Sequence, residues 1–172
     1  MEKKDFIYLL KNRVSVRSFL DKEVSDEDIN FIMDAGKMAP TGMNRQPLLF
    51  IALKNKDIRK KYADLIKEFT ERPTDAYYDS PVVILFFSKD SPTKVLDGAA
   101  ALENMLLATA AIDLGACWIH RSSFFFASEK GKQFQKEIGI GEDYECLESI
   151  ALGYIKGDKP QFKERVEGSK II

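Results

Sequence analysis

The chain is poor in cysteine and histidine and carries almost no net charge, and each shortage excludes something. Cys117 and Cys146 are its only cysteines, and His120 is its only histidine. Two cysteines make no disulfide framework. Three such residues at these spacings cannot hold zinc or an iron–sulfur cluster, so no metal is expected. A reduced, cytoplasmic setting is the expectation. Lys and Arg number 26 against 27 Asp and Glu. That balance argues against a chain-wide footprint for nucleic acid but permits a local basic pocket. The most apolar window, 99–116, is broken by Glu103, Asn104 and Asp113. A bilayer centre penalises two carboxylates heavily, so the window reads as a buried helix and no membrane partner is expected. The opening Met1-Glu2-Lys3-Lys4-Asp5 contains no signal-peptide core. Also missing are a G-x-G-x-x-G turn after a strand, a Walker A lysine and a nucleophile elbow. Ser122 and Ser123 follow His120, but neighbours in sequence make no triad.

What remains is a chain of 172 residues with 45% apolar content. One domain over 1–172 is the default, burying roughly 70% of its unfolded surface. Phe6, Leu9, Leu10 and Val14 form a helical stripe. Ser25 with Asp28 marks a variant capping box, and Ile29, Ile32, Met33 and Gly36 continue that helix until Pro40 forces a stop. A short apolar run at 48–53 and a longer one at 82–87 read as buried strands. Between them, 57–70 has helical spacing, and 71–80 reads as a mobile loop or lid. A long helix spans 94–114 and is ended by Gly115. A short strand at 117–120 follows, then a helix capped by Ser128, running to Ile138 and closed by Gly139. A last strand is expected at 149–155. Strands separated by helices indicate α/β or α+β architecture.

Clusters at the two ends of the chain invite comparison. In an extended segment Arg13, Ser15 and Arg17 can point to one side, and arginine forks match phosphate oxygens. A solvated basic turn is the alternative. Lys163 and Arg165 alternate in the same way, or form an ordinary charged tail. Between them lies 40–47, where Pro40, Thr41, Gly42, Asn44 and Gln46 offer hydrogen-bonding groups with little bulk. Gly42 permits close approach or positive φ. Such a loop suits the edge of a planar heterocycle, or a plain helix-to-strand turn. In 114–120, Trp118 reads as core and Cys117 as buried and inert. His120 is either a proton donor or, more often for a lone histidine, structural.

The blocks Arg13-Val14-Ser15-Val16-Arg17-Ser18-Phe19, 39–47, 114–119, Ala151-Leu152-Gly153-Tyr154 and Lys163-Glu164-Arg165 occur in an order that resembles the nitroreductase family of flavin enzymes. The resemblance implies an α+β three-layer sandwich with a mostly antiparallel central sheet flanked by helices. It implies a homodimer whose C-terminal tails are exchanged, with FMN at the interface. Arg13, Lys163 and Arg165 would bind the FMN phosphate, with Val14 beside them. Ser15 and Arg17 would contact the phosphate–ribityl side and the pyrimidine edge, and Arg17 would stabilise the reduced flavin. Pro40, Thr41, Gly42 and Asn44, helped by Gln46, would reach the flavin from the other subunit. His120 and Arg121 would lie by the isoalloxazine through backbone groups, with no side-chain catalytic residue assigned. The tail ending Ile171-Ile172 would embrace the partner. The sequence departs from its relatives at Val14, where many carry arginine or histidine, and at Thr41 and Gly42, where serine is frequent. The implied activity is NADH- or NADPH-dependent, ping-pong reduction of nitroaromatics, quinones or similar small aromatic acceptors. Dehalogenation, heterocycle oxidation, a non-catalytic flavin-binding dimer and a flavin-free phospholigand module are the alternatives. Tyr77, Tyr78 and Phe124-Phe125-Phe126 are candidates for a stacking wall, with the Phe triplet favoured as core and dimer contact.

Overall fold

The computed structural model describes residues 2–166 and 168–171. Ile172, expected to pack on a partner, lies outside them, and Ile171 is 99% exposed. The elements run α1 (Lys3–Asn12), α2 (Asp26–Lys37), a 3-10 turn (Gly42–Asn44), β1 (Leu48–Leu53), α3 (Lys56–Thr70), β2 (Val82–Ser88), α4 (Lys94–Ala111), β3 (Gly115–Ile119), α5 (Arg121–Ala127), α6 (Glu129–Glu137) and β4 (Glu145–Gly153). The fold is α+β, as expected.

The sheet has strand order β1-β2-β4-β3, and every neighbouring pair is antiparallel. Its two centre strands read as nearly continuous apolar runs because both faces are covered. Val82, Ile84, Phe86, Ile150 and Leu152 pack with Ile29 and Ile32 of α2 and Ala101, Leu102 and Met105 of α4. Val83, Leu85, Phe87 and Ala151 face Tyr62 and Ile66 of α3, Phe125 and Phe126 of α5 and Phe134 of α6. Burying each such large side chain contributes about 1.5–3 kcal/mol, and this double layer fixes where the ends of β3 and β4 lie. Among the described residues no helix is long and apolar enough to cross a membrane.

The expected N-caps form at Ser25 and Ser128, but the reciprocal Asp28 bond of a capping box does not form at Ser25. Ser25 Oγ accepts from the Asp28 N–H at 3.0 Å, and Ser128 Oγ accepts from the Gly131 N–H at 3.2 Å. Gly139 has φ +79°, the left-handed turn that closes α6. Four expectations need correction. The long helix ends at Ala111, and Asp113, with φ 57°, makes the turn. Gly115 is already in β3, where a Cβ would lie 2.8 Å from Val16 Cγ1. β4 starts at Glu145 rather than Ser149, because Glu145 and Glu148 hide its apolar period. Helix α5 was not anticipated, since seven residues show too little of a helical period. Finally, 71–80 is no mobile lid: Tyr77 is fully buried, and Asp75 is buried in an ion pair with Arg59.

Candidate functional site

Helix α1 ends at Asn12, and Arg13 leaves it with extended backbone. The Val16 N–H donates to the Ala116 carbonyl at 2.9 Å, and Ser15 forms a parallel bridge with Ala116. The segment is thereby laid along the free edge of β3, with Val16 2% exposed. Val14 packs against the same core, which leaves it an apolar neighbour of the cations. The three polar residues are not equivalent. Arg13 Nε lies 3.5 Å from Glu103 Oε1 of α4. Arg17 lines a separate cleft of about 580 Å³ with Lys67, Pro73, Tyr78, Asp79 and Lys156. Within a single copy of the chain Arg13 and Arg17 therefore face different neighbours. Ser15 sits beside Cys117. Burial pushes that thiol up, and the Arg17 charge and the Ser15 hydrogen bond oppose the shift, in line with an inert cysteine.

The tail returns to the same region. Lys159 Nζ donates to Asn12 Oδ1 at 2.8 Å, and Lys11 Nζ stands 5.6 Å from the Phe162 ring centre. The Arg165 guanidinium covers the same ring at 5.3 Å. Lys163 and Arg165 are exposed, on a segment tethered beside the residue that precedes Arg13. Lys159, which shares a small crevice with Arg13, and Lys156 were not picked out from sequence, because nothing in their spacing sets them apart.

The 40–47 loop is held at the N-terminal end of α4. The Gly42 N–H donates to Asp97 Oδ1 at 3.0 Å, and Thr93 Oγ1 donates to Asp97 Oδ2 at 3.1 Å. Thr41 Oγ1 accepts from the Gln46 N–H at 3.0 Å, and Gln46 Nε2 donates to Asn44 Oδ1 at 2.8 Å. Left-handed backbone falls on Met43, Asn44 and Gln46, at φ 55°, 55° and 48°, not on Gly42. Gly42 is needed for space instead, since a Cβ there would lie 2.2 Å from Thr93 Oγ1. Non-glycine residues in this region cost about 1–3 kcal/mol each and cluster at functional sites. Pro40, Met43, Asn44, Arg45 and Gln46 are all exposed.

At the other end of β3 the structure adds a group that was missed. Trp118, expected in the core, is 43% exposed. It lies on an edge strand, and its indole N–H donates to Glu148 Oε2 at 2.7 Å. His120 Nδ1 meets Glu148 Oε1 at 2.6 Å, and Phe124 sets its ring edge-on to the imidazole at 5.3 Å. Arg121 is half-buried in the first turn of α5. Beneath it the Ser122 and Ser149 hydroxyls are bonded together, and Tyr77 Oη lies 3.0 Å from Ser149 Oγ and 2.8 Å from Tyr62 Oη. Ser149 Oγ also donates to the Ile119 carbonyl at 2.8 Å. This hydroxyl chain pins the β3–α5 junction. Phe125, Phe126 and Tyr77 are core, so only Phe124 and Tyr78 keep exposed ring surface for stacking.

Burial pushes up the Cys146 thiol, with the Glu148 charge adding to it, and also the Tyr62 and Tyr77 phenols. The unfolded chain ionises these groups near their ordinary 9.0 and 10.0; the folded chain resists. Above that range the unfolded state holds fewer protons, so stability falls with rising pH. Each such group withdraws about 1.4 kcal/mol per pH unit. The Tm is expected to hold up to about pH 9 and fall beyond it. A Tm that stays level to about pH 11 means these groups ionise in place.

An α+β protein with a basic segment on one sheet edge and a strained, anchored loop leading to the other defines a two-part polar site. The chain belongs to the nitroreductase family, which it matches over residues 10–154. It is 30% identical over 88% of its length to an Archaeoglobus fulgidus protein carrying a provisional NADH dehydrogenase/NAD(P)H nitroreductase name, of which it covers 86%. It is 28% identical over 90% of its length to a Methanothermobacter thermautotrophicus protein of the same provisional name, of which it covers 79%. A Bacteroides fragilis nitroreductase crystallised with bound FMN superposes with TM-score 0.88 at 23% identity, covering 100% of this chain and 98% of that one.

Proposed function

We propose that the chain is a flavin mononucleotide oxidoreductase that takes electrons from NADH or NADPH and passes them, in ping-pong fashion, to nitroaromatics, quinones or similar electron-poor acceptors. The observation that carries the reading is that one segment lays Arg13, Ser15 and Arg17 along the β3 edge while the tail brings Lys163 and Arg165 back to the end of α1. The donor set fits the cofactor. Guanidinium and ammonium groups suit a phosphate dianion, and the exposed amides of 40–47 suit a pyrimidine edge. Arg13, Val14, Ser15, Arg17, Lys163 and Arg165 would hold the phosphate–ribityl half. His120 and Arg121 would border the ring, and Pro40, Thr41, Gly42, Asn44 and Gln46 would complete it. Bound FMN supplies the two-electron relay between nicotinamide and acceptor.

We further propose that the whole chain is one FMN-binding domain in a cytoplasmic homodimer, with both cysteines unpaired. Topology supports two copies. Loop 40–47 leads into β1, while Arg13, Ser15 and Arg17 flank β3, and β2 and β4 stand between. Three strand spacings separate the two edges, about 14 Å. One copy therefore offers the two halves of the site on opposite edges, whereas a second copy can bring its loop to the first copy's arginines. Helix α1 has no buried residue and exposes Ile7 and Tyr8, and α4 exposes Val95 and Leu96. These are apolar surfaces for a partner to cover.

The test is a visible spectrum of the purified protein, repeated with NADH and with NADPH under anaerobic conditions. A flavin spectrum that bleaches is expected. Absence of flavin, even after addition of FMN, refutes the cofactor assignment. A flavin that stays oxidised with both nucleotides refutes the reductant.

A further inference from the structure

Glu148 is 8% exposed, and its carboxylate must be compensated where it sits. Strand β4 pairs Glu148 with Phe86 on one side, and Trp118 of β3 pairs with Ile150 on the other. The indole of Trp118 and the imidazole of His120, which follows β3, thus reach the same carboxylate. Among the described residues each oxygen has one partner: Oε2 takes the indole N–H at 2.7 Å and Oε1 faces His120 Nδ1 at 2.6 Å. An indole N–H only donates, and an ionised carboxylate only accepts. Nδ1 must then carry a hydrogen, which leaves Nε2 as the position where a proton comes and goes. The His120 side chain is 67% exposed, so Nε2 is open to solvent and to a molecule at this end of β3. The edge-on Phe124 ring restrains the imidazole from turning.

We propose that His120 is a proton donor to the acceptor and that Glu148 is the positioning residue that fixes its tautomer, a proposal that rests on the flavin-oxidoreductase reading above. Reduction of a nitroaromatic by two electrons consumes two protons. With FMN held as the relay, NAD(P)H would supply both electrons and one proton. Nε2 of the imidazolium provides the second proton. One N–O bond breaks, its oxygen leaves as water, a nitroso compound remains, and solvent returns a proton to Nε2. With a quinone the same two electrons and two protons give the hydroquinone.

Because the chain has a single histidine, long-range proton–nitrogen NMR of the untagged protein reports this one ring, with or without FMN. The neutral ring is expected as the Nδ1–H tautomer. In Glu148→Gln the amide oxygen must serve the indole, which can only donate. The amide NH₂ then faces Nδ1, and the ring is expected to switch to Nε2–H. In anaerobic stopped flow, His120→Gln is expected to slow reoxidation by p-nitrobenzoate or menadione about 100-fold more than bleaching by NADH, the lower end for general acid catalysis. A wild-type ring in the Nε2–H tautomer overturns the Glu148 role. Equal slowing of both half-reactions, or no slowing, overturns the His120 role. If the protein takes up no flavin, the functional reading fails first, and the tautomer measurement still stands on the apoprotein.

Discussion

Arg13→Ala combined with Lys163→Ala is expected to yield a folded protein that purifies with little or no flavin and binds added FMN at least about a hundredfold more weakly. A charge-assisted hydrogen bond to an anion contributes roughly one to two decades in Kd, and the double variant removes two. Folding should survive. Lys163 is exposed, and the Arg13 partner Glu103 is 49% exposed, so the ion pair lost contributes little. Titration of FMN against quenching of flavin fluorescence measures the effect, with Lys132→Ala combined with Lys136→Ala on α6 as a charge-matched control. FMN held as tightly as by the wild type would return both clusters to ordinary surface charge. A loss seen with Arg13→Ala alone, and none with Lys163→Ala, would remove the tail from the clamp.

The residues proposed for the clamp were legible in sequence because the proposal depends on residue type and order, which a linear reading preserves. Its division into two halves was not, because that depends on which sheet edge each segment meets. Nothing in Arg13-Val14-Ser15-Val16-Arg17 says that Ser15 bridges to Ala116, and nothing in 40–47 says that β1 is the opposite edge. The strands at 48–53 and 82–87 were legible because each is an unbroken apolar run, fully buried in β2 and half-buried in the edge strand β1. β4 was half hidden for the opposite reason. Glu148 interrupts its period, and that interruption is the carboxylate that holds Trp118 and His120. A charged residue inside an otherwise apolar strand is the one available signal, and the strand expected at 149–155 begins just after it. Trp118 was misplaced by the same omission: without Glu148 as an acceptor, an indole beside Cys117 has no reason to be outside. Segment 71–80 misled through Pro73, the Pro81 that follows it, and its charges. Asp75 looks like loop solvation until Arg59, sixteen residues earlier, is seen turning inward from α3.

Asp75→Ala is expected to destabilise the protein by about 3–5 kcal/mol, because it strands a buried guanidinium. Arg59 and Asp75 are 7% and 9% exposed, with Nη2 2.5 Å from Oδ2. Arg59 Nε also donates to the Ser80 carbonyl at 3.1 Å, and Asp75 Oδ1 accepts from the Tyr77 N–H at 3.0 Å. The pair therefore fastens both ends of the turn that inserts Tyr77 beneath the β3–α5 junction. At this chain length the loss corresponds to a Tm lower by roughly 6–20 °C, measured by circular dichroism. Arg59→Met with Asp75→Leu is expected to recover most of it, since exchanging both charges for apolar groups is frequently neutral. Amide exchange gives an independent reading: the Tyr77 N–H should be protected in the wild type and exchange quickly in Asp75→Ala. A loss below about 1 kcal/mol, the range of an exposed pair, with rapid exchange at Tyr77 in the wild type, would restore the lid. A large loss makes 71–80 part of the core beneath the β3–α5 junction.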